Sequence, residues 1–245
     1  MFIEYYNAVM NELLNLLSPL DFFGLLIFVA SWVCFETIID FSGIGRKSLS
    51  GLMAEQRRKW MLVLASRDQR MIDTQILGGL QQGAAFFAST SILAIGGCFA
   101  LLGATETVLQ IYRDLPLTKE FIRAIWEIKV LGLATLFAYT FFKFGWSYRL
   151  FNYCAILIGA VPQADDATLD NRIAAARIAA EMNVLAGRHF TSGLRGIFFA
   201  LGYMGWFIGP GAFIVTTILV LLVLTRRQYF SHSRSVLMHA TDESE

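Results

Sequence analysis

Charge is scarce in this chain. Asp, Glu, Lys and Arg make up 16% of its 245 residues, whereas a soluble domain carries about a quarter. Hydrophobic residues reach 56% and the mean hydropathy is +0.56. That combination argues against an ordinary soluble domain. The formal net charge is only +1, so no nucleic acid is expected as a partner, because such binders concentrate basic charge. Cysteine is also sparse. Cys34, Cys98 and Cys154 lie far apart in apolar surroundings, without metal-ligand spacing, and read as small core residues. The three histidines, His189, His232 and His239, form neither an HExxH motif nor a cluster with cysteine, so no metal is expected. A phosphate-binding loop, a dinucleotide fingerprint and a GxSxG elbow are all missing. No catalytic or cofactor-binding residue is therefore assigned, and the chain is not expected to be an enzyme. The opening residues "MFIEYYNAVMNE" carry acid and no base, unlike a secretory signal.

What the chain does have is long apolar runs. A bilayer core takes about twenty apolar helical residues. Four segments qualify: 20–39, 74–105, 126–149 and 193–225. The second and fourth exceed the thickness needed, so tilting, kinking or projection into water is expected. Between the first two spans, 46–72 is rich in arginine and lysine. Between the last two, 165–190 opens on Asp165 and Asp166 as candidate caps. Both connectors have helical periodicity. In the first, Leu49, Leu52, Met53, Trp60, Leu64 and Met71 recur at helical spacing; in the second, Leu169, Ile173, Ala176, Ala180 and Val184 share a face. The alanines of the second suggest close helix packing.

The predicted fold is therefore an all-α integral membrane protein in a single domain. It has four transmembrane helices and two amphipathic cytoplasmic connector helices. Basic residues favour the cytoplasmic side, which places both connectors inside. The segment 1–19 and the tail 226–245 then fall outside. Arg226, Arg227 and Arg234 in that tail run against this orientation.

A shift of 114 residues brings Trp32 onto Trp146, Ile44-Gly45 onto Ile158-Gly159, Arg58 onto Arg172 and Gly79-Leu80 onto Gly193-Leu194. The matches are few, but they suggest a two-fold internal repeat of span, cytoplasmic helix and long span. Such repeats would be parallel, about an axis along the membrane normal.

Four groups of residues stand out. Glu36 and Asp40 end the first span at a depth similar to Lys143 and Arg149 in the third. Lys143 and Arg149 read first as side chains snorkelling to headgroups. Charges inside spans usually pair, so a structural lock between Glu36 and Lys143 or Arg149, and an ion or substrate site, are the alternatives. In the second span, Gln81, Gln82, Ser89, Thr90 and Ser91 form a polar stripe beside small residues such as Gly79 and Gly83. It reads as a helix-packing face or as a polar lining. Gly209, Pro210 and Gly211 predict a kink near the centre of the fourth span. Arg57, Arg58, Lys59, Trp60, Arg67 and Trp146 are candidate contacts for lipid headgroups.

The segments "RRKWMLVLASRDQRMIDTQILGGLQQGAAFFASTSIL" and "FFKFGWSYRLFNYCAILIGAVP" resemble a bacterial membrane family catalogued as domain of unknown function 599. The resemblance covers roughly residues 20–224. It implies an integral protein of the bacterial inner membrane and carries no established activity with it. Two function classes remain. One is a homo-oligomeric pore or transporter of unknown substrate. The other is a non-catalytic accessory or scaffold subunit of a larger membrane complex. Membrane lipids and either further copies or another membrane protein are the expected partners.

Overall fold

The computed structural model describes residues 17–113, 123–163 and 165–242. Residues 1–16 of the expected external segment 1–19 and the last three residues of the tail lie outside them. All described secondary structure is helical: α1 (Pro19–Phe41), α2 (Gly43–Arg46), α3 (Leu49–Ala65), α4 (Met71–Gly103), α5 (Thr105–Arg113), α6 (Arg123–Ala160), α7 (Leu169–Tyr203), α8 (Gly205–Ile208), α9 (Pro210–Tyr229) and α10 (His232–Asp242). Four helices are long and apolar enough to cross a membrane: α1, α4, α6, and the stretch from Pro210 to Met238.

Local sequence explains the helix starts. Ser18 and Asp21 form a capping box on α1, with Pro19 at the first helical position. Ser42 caps α2 and Ser48 caps α3. The corner between α1 and α3 is very tight. A Cβ on Gly45 would lie 2.1 Å from the carbonyl oxygen of Ile39, and one on Gly51 would lie 2.4 Å from that of Gly45. Only glycine fits where backbone meets backbone this closely.

The pair α6 and α7 is the spine. It is antiparallel: Gly132 meets Tyr203, Gly193 meets Phe144, and Ser147 donates to the carbonyl of Ala186. At 1.5 Å per residue the 38 residues of α6 and the 35 of α7 run about 57 and 52 Å. That is far longer than a bilayer core of about 30 Å. Two separate cores are strung along this spine. The first is an aromatic bundle in which Phe28 of α1, Phe199 and Tyr203 of α7, Trp206 of α8 and Phe213 of α9 are buried together. The second is an extension in which α3 and the first half of α4 pack on the far ends of α6 and α7. Its core holds Met61, Leu64, Leu77, Phe151, Cys154, Ile158 and the fully buried Ala176 and Ala179.

Several sequence expectations are corrected here. The segment 193–225 is not one kinked span. Residues 193–203 complete α7, the chain reverses over 204–209, and α9 returns alongside α7, with Gly202 against Val220 and Arg227 over Phe198. Gly209, Pro210 and Gly211 therefore form a turn. Gly209 is extended (φ 159°, ψ 166°) and Pro210 starts the next helix, which suits a residue with no amide hydrogen to donate. Because α1 and α9 run the same way, Ser18 and Tyr229 lie at opposite ends of the bundle. Asp21 bonds Trp206 at one end and Gln228 bonds Ser50 at the other.

The connectors differ from expectation too. The first helix stops at Ala65, and Met71 belongs to α4, where it is exposed. The second connector is not a separate helix: it is the first half of α7. Thr168, not Asp165 or Asp166, precedes its first turn. Its alanine face is buried as expected, except that Leu169 is exposed. The internal repeat does not extend to the chain path either. Residues 71–103 form one helix, whereas their counterparts at 185–217 turn back on themselves.

Candidate functional site

The polar side chains of the protein converge where the two cores meet. Arg195 of α7 is 2% exposed and forks onto two carboxylates of α1. Its Nε and Nη2 donate to Glu36 at 3.1 and 2.7 Å, and Nη2 donates to Asp40 at 2.8 Å. Ser192, one turn earlier, donates to Glu36 at 3.2 Å and bonds the Tyr139 hydroxyl at 2.8 Å. The planar guanidinium suits this bridging of two acids.

Glu36 is paired, but with Arg195 of α7 and not with Lys143 or Arg149 as expected. Lys143 instead lies over the Tyr139 ring at 5.2 Å. Arg149 lies between the rings of Trp146 and Tyr153, and its Nε donates to the Tyr153 hydroxyl at 2.6 Å. Neither basic side chain forms an ion pair with Glu36 among the described residues, where Arg195 does. Arg195 was missed as a partner because, at the edge of an apolar run, it reads as a span terminus. Its spacing of three from Ser192 was the available signal.

A second group ties α3 to the spine. Arg57 donates to Asn183 at 2.5 Å and lies over Phe151. It occupies space left by Gly187, where a Cβ would lie 2.9 Å from its Nε. Its partners are neutral, and burial draws its guanidinium below its usual value. Arg58 pairs with Glu181 at 2.6 Å and with Glu55 at 3.3 Å. Trp60 donates to the fully buried Asp73 at 2.7 Å, and Arg67 reaches the same oxygen at 3.3 Å. Arg70 donates to the carbonyls of Ile158, Val161 and Pro162, a cation on the C-terminus of α6. Arg57, Arg58, Trp60 and Arg67, expected as headgroup contacts, thus also tie α3 and α4 to the protein. Trp146 is exposed, and Lys59 is half-buried.

The polar stripe of α4 divides. Gln81 donates to Asn152 at 2.9 Å, and the buried Ser91 accepts from Thr140 at 3.0 Å. Gln82, Ser89 and Thr90 face outward. Gln81 is level with the extension core, so the stripe does not run through the middle of the aromatic bundle. At the opposite end of that bundle the buried Lys129 donates to the carbonyl of Trp206 at 2.7 Å, and Trp206 donates to Asp21 at 2.6 Å. Lys129 was not distinguished in the sequence from an ordinary basic flank.

At the junction itself lies a cavity of about 250 Å³ between α3, α7 and α9. Its polar lining includes Arg57, Arg188, Arg195, Arg227 and Asp40. Leu194, Phe198 and Leu224 supply an apolar side. Gln228 and Ser50 close one edge through mutual hydrogen bonds of 3.0–3.2 Å. Among the described residues no group of His, Cys, Asp and Glu could hold a metal ion.

This arrangement defines a class: an all-helical protein with four helices fit to cross a membrane and a charged junction between two cores. Residues 23–233 match the model of the family described as a protein of unknown function, DUF599, and the chain belongs to that family. No curated protein and no solved structure matches it.

Proposed function

We propose that the chain crosses the bacterial inner membrane five times, through α1, α4, α6, the second half of α7 and α9, and works as a non-catalytic accessory or scaffold subunit. The observation that carries this reading is the unbroken passage of α6 and α7 through both cores. A platform standing on two rigid helices transmits position from the membrane to the cytoplasm without a hinge. Five crossings also reconcile the charges. Arg226, Arg227 and Arg234 then fall on the same side as Arg46, Arg57, Arg67, Arg172 and Arg188, as the excess of basic residues in cytoplasmic segments requires.

A second reading, a homo-oligomeric pore or transporter, is favoured by the outer face of α4. Nothing lies within 4 Å of a Cβ placed on Gly79, Gly83 or Gly97. Gln82 and Thr90 are exposed on the same side, and small residues with polar neighbours promote helix association in lipid. Native mass spectrometry of protein extracted gently from its own membranes separates the two. One copy bound to other subunits supports the scaffold. A multiple of 27.4 kDa with no other chain refutes it and favours the pore, whose flux is then measured in liposomes.

A further inference from the structure

The junction cavity has more positive charge than its own carboxylates neutralise. Four arginines line it against one carboxylate, Asp40. Glu36 sits behind Arg195, and Glu181 is taken by Arg58. Two charges remain over. Arg57 is held by a neutral amide and an aromatic ring. Arg195, 2% exposed, keeps Nη1 without a hydrogen-bond partner in the protein. Arg188 and Arg227 are exposed at the rim and form no ion pair among the described residues. Buried guanidinium groups are normally matched by an anion. The α3 N-terminus points the same way: Ser50 donates its amide to Gln228 on the cavity edge, and helix N-termini favour negative charge.

The cavity is amphipathic as well as basic. The half-buried Leu194 and Phe198 and the buried Leu224 line it, and Phe198 packs against the aromatic bundle. At about 250 Å³ it is smaller than a pocket for a whole drug-sized ligand, about 300–1,000 Å³. It therefore suits a headgroup whose tail lies outside.

We infer that this cavity binds the phosphodiester headgroup of an anionic phospholipid of the adjoining leaflet. The phosphate bridges Arg57, Arg195 and the rim arginines, and one acyl chain runs along Leu194 and Phe198. Basic pockets between helices on the cytoplasmic side hold anionic headgroups in this manner. The inference rests on the membrane placement proposed above, but it is independent of whether the protein is a scaffold or a pore.

The test uses the full chain, purified in detergent and stripped of lipid, in native mass spectrometry with phosphatidylglycerol or phosphatidylcholine of matched chains. Wild-type protein is expected to retain phosphatidylglycerol at least about tenfold better. Arg188→Gln and Arg227→Gln are both changes at exposed side chains. Each should weaken that retention about tenfold, the loss of one charge-assisted contact. Arg177→Gln, at an exposed site that does not line the cavity, should not. Equal retention of the two lipids, wild-type behaviour of both rim variants, or an equal loss in Arg177→Gln would overturn the inference. In a parallel thermal unfolding series at constant ionic strength, inorganic phosphate alone should protect far less than phosphatidylglycerol. Equal protection would make the site one for free phosphate and refute the lipid. Reporter fusions that placed residues 17 and 242 on the same side would instead refute the five-crossing topology.

Discussion

Replacing Arg195 with Met keeps an unbranched apolar stem and removes the guanidinium with its charge. The wild-type guanidinium makes three hydrogen bonds to carboxylates, at 3.1, 2.7 and 2.8 Å. Breaking a buried ion pair by deleting one partner costs about 3–5 kcal/mol. The carboxylate side chains are 18% and 17% exposed, so residual hydration relieves part of that cost, and about 3 kcal/mol is expected. Glu36→Gln leaves Arg195 its bond to Asp40 and a neutral acceptor, and should cost about 1–2 kcal/mol. Asp40→Asn removes the charge at one of three bonds and should cost about 1 kcal/mol. The losses should not add: Arg195→Met combined with Glu36→Gln should be milder than the sum by more than about 0.5 kcal/mol, as for residues in one network. The assay is reversible unfolding in mixed micelles followed by circular dichroism. Arg195→Lys serves as a second probe, since an ammonium cannot fork onto both acids. If Arg195→Met is no worse than Asp40→Asn, or the double variant is strictly additive, the lock reasoning is wrong.

Other outcomes follow from the same geometry. Gly45→Ala forces a Cβ into the carbonyl of Ile39, which belongs to backbone and cannot swing aside; a loss of about 1–3 kcal/mol is expected, and wild-type stability would contradict the tight corner. Gly187→Ala meets only the movable end of Arg57. It should cost about 1 kcal/mol through the lost Asn183 bond, and a larger loss would show that Arg57 has no room to yield. The hydrogen bonds from Arg58 hold the Glu181 carboxyl below its usual value. Its contribution is therefore full above the ordinary carboxylate range and is lost as pH falls through it. Glu181 is 59% exposed, so the effect is a few tenths of a kcal/mol. It should appear as faster hydrogen exchange along α3 between about pH 6 and 3, and Arg58→Gln should abolish that dependence.

The span positions were legible because they depend on composition over a window. The runs around 20–39, 74–105 and 126–149 reappear as parts of α1, α4 and α6. The burial of Ala176 and Ala180 was also legible, since a periodic small face has one use in a long helix. The fourth run misled because apolar character says nothing about direction. A helix of 33 residues and a hairpin of two shorter ones have the same hydropathy, and only the backbone at Gly209 and the packing of Gly202 on Val220 distinguish them. The same ambiguity hid the partner of Glu36. Depth along a span can be counted, but rotation about the helix axis is set by every contact along its length. That rotation gave Glu36 and Asp40 to Arg195 and not to Lys143 or Arg149.

By itself, then, the sequence determined that this is a helical protein rich enough in apolar runs to cross a membrane, with basic connectors and no motif for metal or nucleotide. These are sums over residues and survive any arrangement of the helices. The tertiary structure alone decided that α6 and α7 carry two cores, that the last span is an antiparallel pair, and that four arginines from three helices share one cavity. Those facts depend on contacts between residues as far apart as Ser50 and Gln228. No local pattern encodes such a contact, because it forms only when the whole bundle has chosen its packing.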